Sequence, residues 1–233
     1  MLKEEERKAP VKHEELWIDI GASDKQDAAS VIRIGDPVTL ELGYQEMRNN
    51  LANSPGMDNR TGLWVVIEAL RRASSGSLKC ALFAVSTVQE EVGLRGVKTS
   101  AFAIDPQLGI AVDVTHATDC PTVSEAEHGR VALGEGPVVF RGPNINPVVF
   151  SALEKQAQEH DIPRQINGIS KPAGNDGNAL QISRAGVATG IIGIPNRYMH
   201  SPVEVISLDD LDNAAELIFR FCLSVDRDSD FTP

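Results

Sequence analysis

The stretch Val187-Ala188-Thr189-Gly190-Ile191-Ile192-Gly193-Ile194 decides the fold class. It is a continuous apolar run of strand length, which predicts a strand buried in a sheet. Its neighbours are helical in pattern. Upstream, Asp176 to Ala185 reads as a helix. Downstream, Ser207-x-x-Asp210 has the form of a capping box with Asp in place of the usual Glu. The helix that follows presents Leu211, Ala214, Leu217, Ile218 and Phe221 on one face. The alternation continues towards the N-terminus. Asn146 caps a helix that has Pro147 at its first position and runs to about His160. Pro137 to Phe140, Gly109 to Val114 (GIAVDV) and Cys80 to Ser86 (CALFAVS) read as strands, the last short and buried. Gly93 to Phe102 reads as a helix, and so does Asp58 to Ser74, which packs through Leu63, Val66, Ile67 and Leu70. Strands flanked by helices of this length predict an α/β layered sheet.

The first fifty residues read differently. Leu16 to Ile20 and Val38 to Leu42 look like short strands, the second with clean alternation. Ser23 to Ala29 has room for one or two helical turns, and Gly35-Asp36-Pro37 is a turn. These are too few strands to close a sheet. Asn49 to Gly56 (NNLANSPG) is polar and turn-rich, which places a boundary there. The chain divides accordingly into residues 1–52, β-rich, and 53–233, α/β.

Composition narrows the function classes. The 233 residues carry 22 basic and 33 acidic side chains, a net charge of −11. Neither a nucleic-acid binder nor an anionic-membrane adapter is expected from that balance. A 42% hydrophobic and 24% charged composition is that of a globular chain. No apolar run reaches the ~18 residues of a membrane span. The KEEERK start has no apolar signal region, so a cytoplasmic location is expected. Cys80, Cys120 and Cys222 are odd in number and far apart, which suits small core residues in a reducing compartment.

Acidic residues and histidines gather at the ends of the expected strands, where open α/β sheets place ligands. Asp58 opens a helix, and alone it reads best as an N-cap. Glu90 and Glu91 follow the strand that ends at Ser86, and a cation beside them would relieve their repulsion. Asp113 lies inside a strand, where an unpaired carboxylate is costly to bury and demands a partner. His200 follows the apolar strand, a position where a lone histidine is more often a hydrogen-bonded core residue than a ligand. Together, oxygen ligands and a histidine suit Zn²⁺, Mn²⁺ or Co²⁺. Two adjacent glutamates allow a division of labour in which one ligates and the other acts as general base.

The runs MDNRTG (57–62), STVQEEVGLRGV (86–97), AVDVTHATD (111–119) and NRYMHSPVE (196–204) resemble the glutamyl aminopeptidase/cellulase-M family, which includes the tetrahedral aminopeptidases. The resemblance implies a three-layer αβα sandwich with a central mixed sheet. Residues 1–52 would be the C-terminal part of an inserted β-rich dimerisation domain, and 53–233 a metallo-aminopeptidase catalytic domain lacking its N-terminal elements. It implies two divalent metal ions, Zn²⁺ or Co²⁺ with Mn²⁺ as a further candidate. Asp58 would bridge them, Glu91 and His200 would complete one site, and Asp113 would serve the other. Glu90 would be the catalytic base, facing the metals without ligating them. The Asp58–Asn59 bond would be a cis non-proline peptide. The substrates would be peptides, and the assembly a homo-oligomer of dimers building a dodecamer.

The chain departs from that family in one respect. Nothing upstream of Asp58 reads as the His-x-Asp motif that supplies the last ligand of the Asp113 site; His13 is followed by Glu14-Glu15. Met1 is therefore expected to start a shortened chain, with one metal site incomplete and turnover impaired. If both metals nonetheless bind, His116 is the side chain to consider as a substitute. Two other readings are an endoglucanase-type glycosidase and a non-catalytic remnant of the same fold. A glycosidase needs two carboxylates flanking the scissile bond at ~5–9.5 Å, which adjacent Glu90 and Glu91 suit poorly.

Overall fold

The computed structural model describes residues 11–121 and 123–232, so the charged KEEERK run lies outside the described residues. It divides into two compact units, Met1–Glu41 and Leu42–Pro233. In the first, helix α1 (Lys25–Val31) starts at Asp24, whose carboxylate accepts from the Gln26 and Asp27 N–H groups. The expected strands at Leu16–Ile20 and Val38–Leu42 do not form ladders. Trp17 is 86% exposed, and Val38 and Leu40 are exposed as well. Alternation encodes which face a strand would bury, but no neighbouring strand is present among the described residues.

The second unit holds the remaining elements. Strands β1 (Gln45–Glu46) and β2 (Leu51–Ser54) precede helix α2 (Met57–Ala73). Then come helix α3 (Arg95–Ile104), strand β3 (Leu108–His116) and the single-turn helix α4 (Glu125–His128). Strand β4 (Val138–Arg141), helix α5 (Pro147–Glu159), strand β5 (Gln165–Gly168) and helix α6 (Asp176–Leu180) follow. The chain closes with strands β6 (Ala188–Asn196) and β7 (Glu204–Ser207) and helix α7 (Leu208–Ser224). The main sheet has the order β3-β6-β4-β5, with β3 parallel to β6, β6 antiparallel to β4 and β4 parallel to β5. A smaller antiparallel sheet has the order β1-β2-β7.

Strand β6 is buried on both faces, which is why its run is apolar. Ile192 and Ile194, with Val139 of β4, meet Val65 and Ala69 of α2, Leu153 of α5, and Leu217 and Phe221 of α7. Ile191, with Val138 and Phe140 of β4, faces the other way. On that side Val97 and Ala101 of α3 pack with Ala179 and Leu180 of α6 and with Val187. Helix layer, mixed sheet and helix layer make a three-layer αβα fold. Each fully buried isoleucine stabilises it by roughly 1.5–3 kcal/mol.

Four expectations need correction. Cys80–Ser86 is extended but joins no ladder, and Phe83 stands 62% exposed where a buried strand was expected. Cys80, Leu82 and Ala84 are half-buried while Ala81, Phe83 and Val85 are exposed, so one face packs, and among the described residues no strand flanks the segment. The polar Asn49–Gly56 stretch contains a strand, β2, because Ala52 is wholly buried opposite Ile206. On α2 the buried stripe is Thr61, Val65, Ala69 and Ala73, with Ile67 54% exposed. Small side chains on that stripe let the helix approach the sheet and α7 closely. Finally, α6 stops at Leu180 rather than Ala185, where the chain enters turns closed by Leu180 and Ser183 carbonyls.

Candidate metal centre

The five candidate side chains come from four separate segments. Asp58 sits at the start of α2, where its peptide bond to Asn59 is cis. The Asn59 side chain donates to the Val112 carbonyl of β3 at 2.8 Å and accepts from the Gly62 N–H at 2.9 Å. A Cβ on residue 62 would lie 2.3 Å from Asn59 Oδ1, so glycine is required for this anchoring. Glu90 and Glu91 sit on a loop that folds back on α3. The Gly93 and Leu94 N–H groups donate to the Glu90 carbonyl, and the Gly96 N–H donates to that of Val88. Asp113 lies in β3 opposite Gly193 of β6, and His200 lies in the turn after β6.

These residues line one open cavity of about 610 Å³. Asp58, Glu90, Glu91, Asp113 and His200 all reach it, together with His116, Phe140, Asn167 and Met199. Within it, His200 Nε2 is 3.1 Å from Asp58 Oδ2 and 3.8 Å from Glu91 Oε2. Asp58, Glu91 and His200 each offer one ligand atom, all within 4.8 Å of one another. Ligands at ~2.0–2.2 Å from a tetrahedral Zn²⁺ are separated by roughly 3.3–3.6 Å. The observed spacings bracket that value, so the trio fits a divalent cation. Among the described residues, Glu90 and Asp113 belong to no such group of three.

The electrostatics also call for a cation. Burial, reinforced by Glu91 and Glu204, raises the Asp58 carboxyl to about 6, with His200 opposing the shift. Burial, with Glu91, Asp176 and Asp58 nearby, raises Glu90 to about 7. Asp113 also rises to about 7 through burial, although the Val114 N–H partly stabilises its charge. These groups are reluctant to ionise together unless positive charge enters the cavity.

Three groups escaped sequence reasoning. Glu204, 2% exposed, accepts from the backbone N–H groups of Asp58 and His200. In sequence it closes the NRYMHSPVE run and directly precedes the apolar Val205-Ile206, with nothing to mark its role. Asp176 raises the pKa of both Glu90 and Asp113 and accepts a hydrogen bond from the Thr87 hydroxyl at 2.6 Å. Asp119 and Arg197, which lie inside the quoted motifs, form a two-pronged ion pair at 2.6 and 2.8 Å. It ties the loop after β3 to the end of β6.

Comparison with known proteins follows the same lines. The sequence pattern of the M42 glutamyl aminopeptidase family matches residues 1–217. A lysyl aminopeptidase from Pyrococcus furiosus is 38% identical over 94% of this chain and 62% of its own length. The structure of an aminopeptidase from the archaeon Desulfurococcus kamchatkensis is 37% identical with a TM-score of 0.81, over 89% of this chain and 59% of that one. That of a TET aminopeptidase from the marine sediment archaeon Thaumarchaeota archaeon SCGC AB-539-E09 is 30% identical with a TM-score of 0.89. It covers 97% of this chain and 65% of that one. The chain thus spans about three-fifths of the length of the relatives it matches. Among the described residues no helix is long and apolar enough to cross a membrane.

Proposed function

This chain belongs to the M42 glutamyl aminopeptidase family, and from that premise we propose that its cavity removes N-terminal residues from peptides with the help of divalent metal ions. The convergence of Asp58, Glu91 and His200 carries the reading. Asp58, Glu91 and His200 would hold one ion, and Asp58 would share a second with Asp113. Zn²⁺ or Co²⁺ suits this mixed oxygen and nitrogen set, and Mn²⁺ is a weaker match. Bound ions of this kind polarise the scissile carbonyl and lower the pKa of water. Residues 53–233 would form the catalytic domain, and residues 1–52 would belong to the dimerisation domain.

The protein's own groups supply the rest. Glu90 lines the cavity and stands outside the Asp58, Glu91 and His200 trio, so it takes the proton of the attacking water and returns it to the departing amine. Asp113 stands in no three-ligand group among the described residues. The second ion is therefore held more weakly than the first, and turnover by the 233-residue chain is low. Assembly into a homo-oligomer belongs to the same proposal, and sedimentation of the purified chain tests it.

Aminoacyl-nitroanilide hydrolysis and Zn²⁺ titration test the enzymatic part. Glu90→Gln should keep the tight Zn²⁺ site and lower residual turnover by ~10²–10⁴-fold. Undiminished turnover in that variant would overturn the role of Glu90. Chelator-resistant cleavage of a β-glucan would favour a glycosidase instead.

A further inference from the structure

We propose that Glu204 is the positioning residue that holds Asp58 and His200 at metal-binding distance from each other. The inference rests on the metal-centre reading and extends it to a residue outside the ligand set. Glu204 is 2% exposed and forms no ion pair among the described residues. An ionised carboxylate so deeply buried is costly unless its oxygens are hydrogen-bonded. Glu204 meets that need with two backbone amides. Oε2 accepts from the Asp58 N–H at 3.1 Å, and Oε1 accepts from the His200 N–H at 3.0 Å. One side chain thus straps together the backbones of two ligands from distant parts of the chain.

The strap itself has a fixed base. Glu204 pairs with Ser54 in the β2–β7 ladder, and its carbonyl accepts from the Asn53 side chain at 3.2 Å. It also offsets a local cost at the other end. His200 has a φ of 62°, a left-handed backbone that a residue with a Cβ adopts only when its surroundings enforce it. Without the Oε1 bond that turn is free to relax, and the 3.1 Å approach of His200 Nε2 to Asp58 is lost.

Calorimetric Zn²⁺ titration and the visible spectrum of the Co²⁺ form, both on the 233-residue chain, test the proposal. In Glu204→Gln one of the two acceptors becomes an N–H donor facing a backbone N–H. Zn²⁺ affinity should fall by ~10–100-fold, the range seen when groups that orient ligands are removed. The Co²⁺ bands should change with it, because the ligand geometry is altered. Glu204→Asp keeps the charge but cannot reach both amides, so it should not restore either property. A lower unfolding midpoint with wild-type Zn²⁺ affinity and an unaltered Co²⁺ spectrum would overturn the positioning role. Asp58→Asn and His200→Ala report separately on the site. If both bind Zn²⁺ as the wild type does, the metal-centre reading fails, whatever Glu204 does. Should Glu204→Gln not fold, amide hydrogen exchange in the metal-free wild type decides. Protection of the Asp58 and His200 amides supports the strap, and free exchange of both overturns it.

Discussion

Gly96→Ala sets two effects of opposite sign against each other. Gly96 is the second residue of α3, and its N–H donates to the Val88 carbonyl at 2.8 Å. On propensity alone, alanine in a helix is favoured over glycine by up to about 1 kcal/mol. A Cβ there, however, would lie 2.3 Å from Val88 N and 2.4 Å from Val88 O. To reach ordinary contact distance the Val88 backbone must retreat by about 1 Å. These are main-chain atoms, so no flexible side chain can absorb the shift. Overpacking of this kind costs ~1–3 kcal/mol, and against main-chain atoms it cancels or outweighs the propensity gain, leaving a net loss of up to about 2 kcal/mol. For a chain of this size the thermal midpoint should drop by up to about 8 °C. The functional effect should be larger than the stability effect. Val88 leads into the loop carrying Glu90 and Glu91, and Glu91 Oε2 stands 3.8 Å from His200 Nε2. Displacing that loop should weaken Zn²⁺ binding by about tenfold or more, as losses among ligand-orienting groups do. Calorimetric unfolding and Zn²⁺ titration read both quantities. A raised midpoint together with unchanged Zn²⁺ affinity would refute the argument that the Val88–Gly96 contact sets the position of the glutamate pair.

Two further outcomes follow from the structure. Asp210 is wholly buried and accepts from the Gly134 and Gly136 N–H groups, each at 2.8 Å. Asp210→Ala leaves both donors without a partner and should cost about 2–4 kcal/mol, read as a lower urea midpoint with an unchanged m-value. In the metal-free chain Asp58 stands near 6 and Glu90 and Asp113 near 7, above the ordinary carboxylate range. Folded-state values raised in this way mean that the folded form binds these protons more tightly than the unfolded form. The associated stability is fully present below about pH 4 and is lost as pH rises through 6 to 7. With a chelator present the urea midpoint should therefore decline between pH 5 and pH 8, and saturating Zn²⁺ should remove the decline. A midpoint that climbs over that interval in chelator would contradict the carboxylate crowding.

Much of the architecture was legible because it rests on local pattern. The continuous apolar run at Val187–Ile194 required burial on both faces, and β6 has Ile191 on one side of the sheet and Ile192 on the other. Asn146 with Pro147 marked the start of α5, where the Asn146 side chain accepts from the Val148 and Val149 N–H groups. Ser207 marked that of α7 in the same way, accepting from the Asp210 N–H. Capping groups and their partners lie within three residues of each other, so such signals do not depend on the rest of the chain. The polar residues at strand ends were legible as well. Of the candidates only Asp113 stood out singly, as a carboxylate costly to bury, while Asp58, Glu90, Glu91 and His200 drew notice through their joint placement and the family resemblance; all five line one cavity.

Tertiary structure decided what depends on neighbours distant in sequence. Leu16–Ile20, Val38–Leu42 and Cys80–Ser86 have the composition of strands, yet a strand is completed by hydrogen bonds to another segment, and none is supplied among the described residues. The reverse holds for Leu51–Ser54, whose polar sequence conceals a strand until Glu204–Ser207 lies beside it. Glu204 shows the limit most clearly. In sequence it is the last residue of the NRYMHSPVE run, and nothing beside it tells a buried carboxylate from a solvated one. Only when β7 closes against β2 do the Asp58 and His200 amides reach its two oxygens. Side-chain periodicity and capping are written in adjacent residues, whereas the partner of a buried charge is set by which parts of the folded chain meet.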